Sequence, residues 1–143
     1  MDVFDVLKIS ASGLKAQRTR METVATNIAN IHTTRTDEGG PFRKKDVVFT
    51  SADVSDPKGF GAALQRRSEG VEVEDVVESL KPFEQVHDPF HPDADSEGYV
   101  TFPNVNVMEE MADMIAATRA YEANINVVNS TKEMFMKSLE IGK

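Results

Sequence analysis

The stretch METVATNIANIHTTRTDEGGPFRKKD, residues 21–46, begins with the pattern of an amphipathic helix and ends with residues that interrupt helices. Met21, Ala25 and Ile28 follow one another at steps of three or four residues, which puts them on one helix face. Asparagines and threonines then replace the apolar residues, and a Gly-Gly-Pro turn at residues 39–41 redirects the chain. The stretch therefore predicts the end of a long helix, followed by a segment of a different kind.

Apolar residues at the same spacing extend back to the start of the chain and predict one N-terminal helix. Its heptad-like stripe consists of Phe4, Leu7, Ala11, Leu14, Arg18, Met21, Ala25 and Ile28. Arg18 is a charged exception in this stripe, and Asp2 is a candidate helix cap. A helix of about 28 residues would be about 40 Å long.

The C-terminal segment predicts a second and longer helix. Pro103 excludes helix before it, Asn106 is a candidate cap, and Glu109 stands at the capping-box position. The apolar stripe consists of Met111, Met114, Thr118, Tyr121, Ile125, Val128, Lys132, Phe135 and Leu139. Because no proline or glycine interrupts this stripe, a helix of about 33 residues, about 50 Å long, is expected.

The two stripes predict that the helices pair in a coiled-coil-like arrangement, and in an ordinary two-helix hairpin they would need no other partner. Both helices also carry apolar residues off the stripe: Val3, Ile9, Val24 and Ile31 in the first, and Met108, Ile115, Val127 and Met136 in the second. An apolar second face has to be covered by something else. The pattern therefore favours assembly through the ends of the chain.

The middle of the chain alternates apolar and polar residues and predicts short strands. The candidates are FRKKDVVF, GVEVEDVVES, FEQVH and YVTF, which would form one small antiparallel sheet between Phe42 and Phe102. A loop near residues 51–68 is expected to be mobile. The predicted fold class is α+β, with a discontinuous helical assembly domain of residues 1–35 and 104–143 and a β-rich outer segment of residues 36–103.

Charge and composition exclude several classes of function. Residues 48–110 carry four basic and fourteen acidic groups, and a field of that sign argues against a nucleic-acid partner. The chain has no cysteine, which removes disulfides, zinc–thiolate sites and thiol catalysis. It has no G-x-S-x-G elbow, no apolar run of about 20 residues, and no basic-then-apolar signal peptide at its start. The sequence predicts a protein that is not an enzyme, has no cofactor and has no transmembrane segment.

The stretch HDPFHPDADSEGYV, residues 87–100, is the one place where a metal site can be considered. His87 and His91 have a zinc-binding spacing and three aspartates lie among them, but the prolines in the stretch exclude the helix that this geometry needs. DADSEG also imitates the start of a calcium loop, whose twelfth position is here Asn104 rather than glutamate. A metal-binding domain built on residues 87–98 is therefore the alternative function, and an incidental surface turn is the expected one.

Both ends of the chain resemble one protein family, the bacterial flagellar axial proteins of the rod, hook and hook-associated structures. ISASGLKAQRTRMETVATNIANIHTTRT followed by GGPFRKKDVVF is similar to the N-terminal signature, with Asn27 and Asn30 and then Thr33 and Thr34 in its pattern. NVNVMEEMADMIAATRAYEANINVVNSTKEM is similar to the C-terminal signature, which includes Arg119, Tyr121 and Asn124. Phe102 stands where the family pattern leads us to expect tyrosine.

The resemblance implies a structural subunit whose terminal helices pack helically around an export channel, with a small β-rich domain outside. Within the family, the short chain, GGPFRKKDVVF, DPFHPDADSEGYV and FPNVNVMEEM favour a subunit of the proximal rod, and another axial subunit is the alternative. Such a subunit would transmit torque and would reach the periplasm through the flagellar type III export apparatus without a cleaved signal peptide. Its partners would be copies of itself and neighbouring rod proteins, and in addition the MS-ring, its rod adaptor or the export gate.

The residues expected to carry assembly lie in the two helices and the turn after the first. The predicted seam within the chain consists of Leu7, Leu14, Met21, Ile28, Tyr121, Ile125 and Val128. Ile31, Met108 and Ile115 would face neighbouring subunits. The remaining predicted interface or packing residues are Asn27, Asn30, Thr33, Thr34, Met111, Arg119 and Asn124. Buried asparagines in such helices would fix register and partner choice at some cost in stability.

Overall fold

The structure is a computed structural model that describes residues 3–53 and 69–141. Its elements in chain order are α1 (Val3–Ala29), β1 (Lys45–Asp53), β2 (Glu69–Glu78), β3 (Glu84–His87), β4 (Tyr99–Phe102) and α2 (Val107–Ile141). The predicted α+β fold, with long terminal helices paired and an antiparallel β segment between them, is confirmed. Residues 51–53 of the predicted mobile loop belong to β1, and the rest of that loop lies outside the described residues, as does the candidate cap Asp2.

The helix ends follow the predicted local chemistry. Asn106 caps α2, because its Oδ1 accepts hydrogen bonds from the amides of Met108 (2.9 Å) and Glu109 (3.3 Å). Glu109 instead directs its carboxylate to Lys81, 3.4 Å away. At the end of α1, the Asn30 amide is shared between two carbonyl oxygens of the last turn, each 3.2 Å away.

The chain reversal predicted after α1 is present at the two glycines. Gly39 and Gly40 have φ angles of +88° and +83°, which residues with a side chain rarely adopt. The Phe42 amide then donates to the Thr33 carbonyl over 2.9 Å and closes the loop. The turn delivers the chain to the start of β1, beside the C-terminal half of α1.

The four predicted strands form two separate hairpins, so the prediction of one sheet is wrong. β1 pairs with β2 antiparallel, with a bulge between Val48 and Phe49, and β3 pairs with β4 antiparallel. In the segment between β2 and β3, side chains bind backbone carbonyl groups. Arg43 donates to the Ser79 carbonyl (2.9 Å), and Asn104 donates to the Lys81 carbonyl (2.8 Å).

The seam between the helices is built from small and polar residues. The buried side chains of the two helices are Ser10, Ala16, Val24 and Asn27 of α1 and Glu110, Ala117 and Thr131 of α2. Those of α2 face α1, whereas Ala16 and Val24 also lie beside residues of the β1–β2 hairpin. The helices run antiparallel, because Asn27 contacts Glu110 at one end and Gly13 lies against Asn124 towards the other.

Much of the predicted stripe of larger apolar residues is half-buried at the edge of this seam, and Met21 of α1 reaches Thr118 of α2 across it. The assignment of Arg18 to the seam is wrong, since its side chain is 73% exposed and pairs with Glu22. Val24, predicted on the second face, is 5% exposed and lies beside Val47 and Phe49 of β1, so part of that face is covered within the chain. Small residues let the two backbones approach closely, and the larger apolar side chains are displaced to the flanks.

Candidate assembly site

Most of the surface of α2 has no partner among the described parts of the chain. Of the described helices and strands, α2 packs only against α1, whereas the β1–β2 hairpin packs on α1. Among the α2 side chains that the structure describes, ten large apolar ones are at least 37% exposed: Val107, Met108, Met111, Ile115, Ile125, Val127, Met134, Phe135, Met136 and Leu139. A single soluble helix pair does not need such residues, so these faces are candidates for contact with other chains.

Three of these residues form a compact patch near the start of α2, the Met108 patch. Met108, Met111 and Ile115 are spaced by three and four residues and therefore share one helix face. They are 74%, 50% and 53% exposed, respectively. Glu110, which faces α1, is 1% exposed, so the patch points away from the seam.

A second group, the C-terminal patch, lies at the other end of α2 and consists of Met134, Phe135, Met136 and Leu139. The contacts that define the helix register place Val3, the first described residue of α1, opposite Met134. The final turns of α2 therefore extend past the described part of α1. Every residue from 132 to 140 is exposed.

The predicted seam residues occupy intermediate positions. Leu7, Leu14, Met21, Ile28, Tyr121 and Val128 are half-buried, and Ile125 is 37% exposed. The structure brings Met21 to Thr118, whose hydroxyl lies 3.6 Å from the methionine sulfur. Arg119 is exposed on α2. These residues flank the helix contact and leave part of their surface open.

The motif that follows α1 connects the helices to the outer segment. The Thr33 hydroxyl donates to Asn30 (3.1 Å), and the Thr34 hydroxyl donates to Asp93 (2.7 Å) in the acidic turn. Ile31, predicted to face a neighbouring subunit, lines an open groove of about 300 Å³ together with Phe102 of β4 and other apolar residues. Part of this motif therefore contacts other segments of the same chain.

A buried polar cluster joins three segments at the point where the helices meet the first hairpin. Glu110 Oε1 lies 2.7 Å from Lys44 Nζ, and Asn27 Nδ2 donates to Glu110 Oε2 over 2.9 Å. The Asn27 amide also forms two hydrogen bonds with the backbone of Lys45, of 2.8 and 2.9 Å. We call Asn27, Lys44 and Glu110 the polar joint.

The charges of the polar joint are almost fully withdrawn from water. Glu110 is 1% exposed and Lys44 is 7% exposed. Burial by itself lowers the pKa of Lys44, but the hydrogen bond and charge of Glu110, together with Asp46, outweigh it and raise the pKa above the usual lysine value. Lys44 is therefore held in its charged form. Sequence reasoning selected Asn27 but missed Lys44 and Glu110, because nothing local distinguishes them from other charged residues.

The acidic turn at residues 87–98 uses several of its polar groups in local hydrogen bonds, and Asp93 also accepts the bond from Thr34. Asp95 accepts hydrogen bonds from two backbone amides, each 2.9 Å long, and the His91 ring accepts one from the Asp93 amide. His87 packs edge-on against Tyr99. Within residues 3–53 and 69–141, no three His, Asp or Glu side chains converge in a way that could hold a metal ion. The described geometry gives the metal-binding alternative no support.

Two family models match the ends of the chain, where the helices lie. Residues 7–35 match "Flagella basal body rod protein", and residues 96–141 match "Flagellar basal body rod FlgEFG protein C-terminal". Paired terminal helices with open apolar faces, matched at both ends to rod families, define the chain as a flagellar axial protein. No described helix is both long enough and apolar enough to cross a membrane.

Full-length relatives narrow this class to one family. The chain is 44% identical to the flagellar basal-body rod protein FlgC of Bacillus subtilis, with all of both chains covered. It is 41% identical to the FlgC of Borreliella burgdorferi, with 99% of this chain and 98% of the relative covered. It is 38% identical to the FlgC of Salmonella typhimurium over the whole of both chains.

The chain belongs to the family of the flagellar basal-body rod protein FlgC. It is a structural subunit of the flagellar basal-body rod and not an enzyme. Membership of the rod family implies assembly with other flagellar rod proteins.

Proposed function

We propose that the chain is a subunit of the proximal rod that assembles with copies of itself and with neighbouring rod proteins through the open faces of its terminal helices. The observation that carries the proposal is the set of exposed apolar residues on α2, above all the Met108 patch and the C-terminal patch. In the assembled tube these faces would be covered, and the subunit would transmit torque along the rod.

The assembly faces that we assign follow from exposure. Met108, Met111, Ile115 and Ile125 would contact neighbouring subunits, as would the exposed Arg119. The half-buried residues Leu7, Leu14, Met21, Ile28, Ile31, Thr33, Thr34, Tyr121, Asn124 and Val128, together with Asn30 and the buried Asn27, would hold the helix pair and its exit turn in the shape that the contacts require.

The division into a helical assembly domain of residues 1–35 and 104–143 and an outer segment of residues 36–103 belongs to the same proposal. The outer segment would lie outside the helical layer. The protein would work in the periplasm after leaving the cytoplasm through the flagellar type III export apparatus. At the base of the rod, its further contacts would be the MS-ring, the rod adaptor and the export gate.

The energy available from the Met108 patch is sufficient to influence assembly. Fully burying a side chain of this size contributes about 1.5–3 kcal/mol, so three partly exposed residues supply several kcal/mol per contact. A carboxylate at the centre of the patch would lose this contribution and would also have to be desolvated, which costs several kcal/mol more. One substitution should therefore be enough to prevent assembly.

The test is Ile115→Glu in the source bacterium. Because Ile115 is 53% exposed in the free chain, the substitution leaves the fold intact and the secreted amount of the protein unchanged. Motility in soft agar and the yield of purified rods are expected to fall to background. The matched control is Leu80→Glu, which adds the same charge at a residue that is 95% exposed in a loop of the outer segment. Normal motility and rods with Ile115→Glu would refute the assignment of the assembly face.

A further inference from the structure

We propose that the polar joint of Asn27, Lys44 and Glu110 fixes the orientation of the first hairpin relative to the helix pair, so that the three residues act as positioning residues for assembly. The observation is the convergence of α1, the start of β1 and the first turn of α2 on one buried site. In this role the joint determines the shape of the subunit rather than its stability.

The joint concentrates directional bonds at the Lys45 end of the hairpin, whereas near the other end the Val71 amide donates to the Ser12 hydroxyl over 3.1 Å. Asn27 binds both the amide and the carbonyl group of Lys45, as a neighbouring strand would, and this fixes the first residue of β1 against α1. Elsewhere the hairpin faces α1 with apolar residues such as Val47 and Phe49 beside Val24. Apolar contacts of this kind are non-directional and tolerate sliding or tilting.

A second set of bonds holds Lys44 from the opposite side. The Lys44 amide donates to Asn104 (2.8 Å), and the Ser79 amide donates to the Lys44 carbonyl (2.8 Å). Lys44 is thus attached through its backbone to the segment before α2 and through its side chain to α2 itself. The hairpin cannot rotate without breaking an ion pair and several hydrogen bonds together.

A buried ion pair is suited to this role and poorly suited to stabilisation. Desolvation of the two charges offsets most of their attraction, so replacing both by apolar residues of similar size is often neutral or stabilising. The replacement removes the directional bonds, because two apolar side chains have no preferred direction of contact. If the ion pair fixes the orientation of the hairpin, replacing both residues should loosen that orientation and leave the helices folded. If the ion pair mainly stabilises the fold, the same replacement should unfold the helices.

The experiment uses the full chain, dilute and unassembled, with spin labels on cysteines introduced by Glu74→Cys in β2 and Glu122→Cys in α2. The sequence contains no other cysteine, and both positions are exposed. Electron–electron double resonance would give the distribution of distances between hairpin and helix. The test variant is Lys44→Met/Glu110→Met, and far-UV circular dichroism reports whether the helices are retained.

The chain offers a matched control one residue away on the same helix. Lys81 and Glu109 also connect the outer segment to α2, but their side chains are 63% and 55% exposed and 3.4 Å apart. We expect one narrow distance in the parent chain and in Lys81→Met/Glu109→Met. In Lys44→Met/Glu110→Met we expect the same helical signal with a distribution at least twice as broad.

Either of two results would overturn the proposal. A distribution as narrow as that of the parent chain would mean that the side chains of Lys44 and Glu110 do not set the orientation. Loss of the helical signal would mean that the ion pair holds the fold rather than the shape. Because the distance is measured in the free chain, these outcomes are independent of rod assembly, which Ile115→Glu tests separately.

Discussion

The register of the helix pair can be tested at Gly13, which lies against the Asn124 side chain of α2. A β-carbon on Gly13 would lie 3.0 Å from Nδ2 of Asn124 and 3.3 Å from its Cγ, against about 3.5–4.0 Å for an unstrained contact. In an open helix interior, glycine to alanine stabilises by about 0.8–1.0 kcal/mol. Here the Asn124 side chain has to move and would lose its 2.9 Å hydrogen bond to Ala120, which is worth about 0.5–1.5 kcal/mol. The two effects nearly cancel, so Gly13→Ala should change the free energy of unfolding by no more than about 0.7 kcal/mol in either direction.

A double-mutant cycle separates these two contributions. Asn124→Ala removes the obstacle, so Gly13→Ala added to it should stabilise by the full helix-propensity value of about 1 kcal/mol. Urea unfolding followed by circular dichroism measures all four chains. An equal gain of about 1 kcal/mol in both backgrounds would refute the reasoning, because Gly13 could not then lie against Asn124.

Two other features of the structure give predictions of known sign. The raised pKa of Lys44 keeps its proton in the folded chain, so stability should be constant at neutral pH and fall above about pH 10.4, where unfolded lysine loses its proton. This loss of stability at high pH should be smaller in Lys44→Met/Glu110→Met. Urea unfolding at pH 9 to 11.5 measures it, and an equal loss in the parent chain and the variant would contradict the prediction. Gly98→Ala should destabilise by about 2–3 kcal/mol, because φ is +80° and the new β-carbon would lie 3.1 Å from Pro89. Gly40→Ala, at φ +83° with nothing within 4 Å of the new β-carbon, should destabilise by only about 1–2 kcal/mol. Equal destabilisation of the two variants in thermal unfolding would contradict a steric contribution from Pro89 at Gly98.

Features set by neighbouring residues could be predicted from the sequence. The Asn106 cap, the two long helices, the turn at the glycine pair and all four strands depend on local spacing and on residues that interrupt helices or strands. The hydrogen bond of the Asn104 side chain to the Lys81 carbonyl could not be predicted, since it joins residues 23 positions apart in the sequence. The ion pair of Lys44 and Glu110 is also non-local, and neither residue differs in type from the exposed charges around it.

The helix seam shows why apolar periodicity was an incomplete guide. Steps of three and four residues identify a face but do not reveal which of two adjacent faces the partner helix occupies. In this chain the partner lies on the face with Gly13, Ala16 and Ala117, where close approach is possible and the polar pair of Asn27 and Glu110 can be satisfied.

The large apolar residues of α2 therefore stay exposed in the free chain and are available for contact with other chains. If the seam had been formed by Met111, Ile125 and Leu139, their burial would stabilise the free chain and leave little apolar surface for neighbours. A seam of small and polar residues gives the helix pair only a modest hydrophobic gain. The larger gain is available only when other chains cover the exposed faces, so the same sequence that makes the isolated helix pair weak makes its assembly favourable.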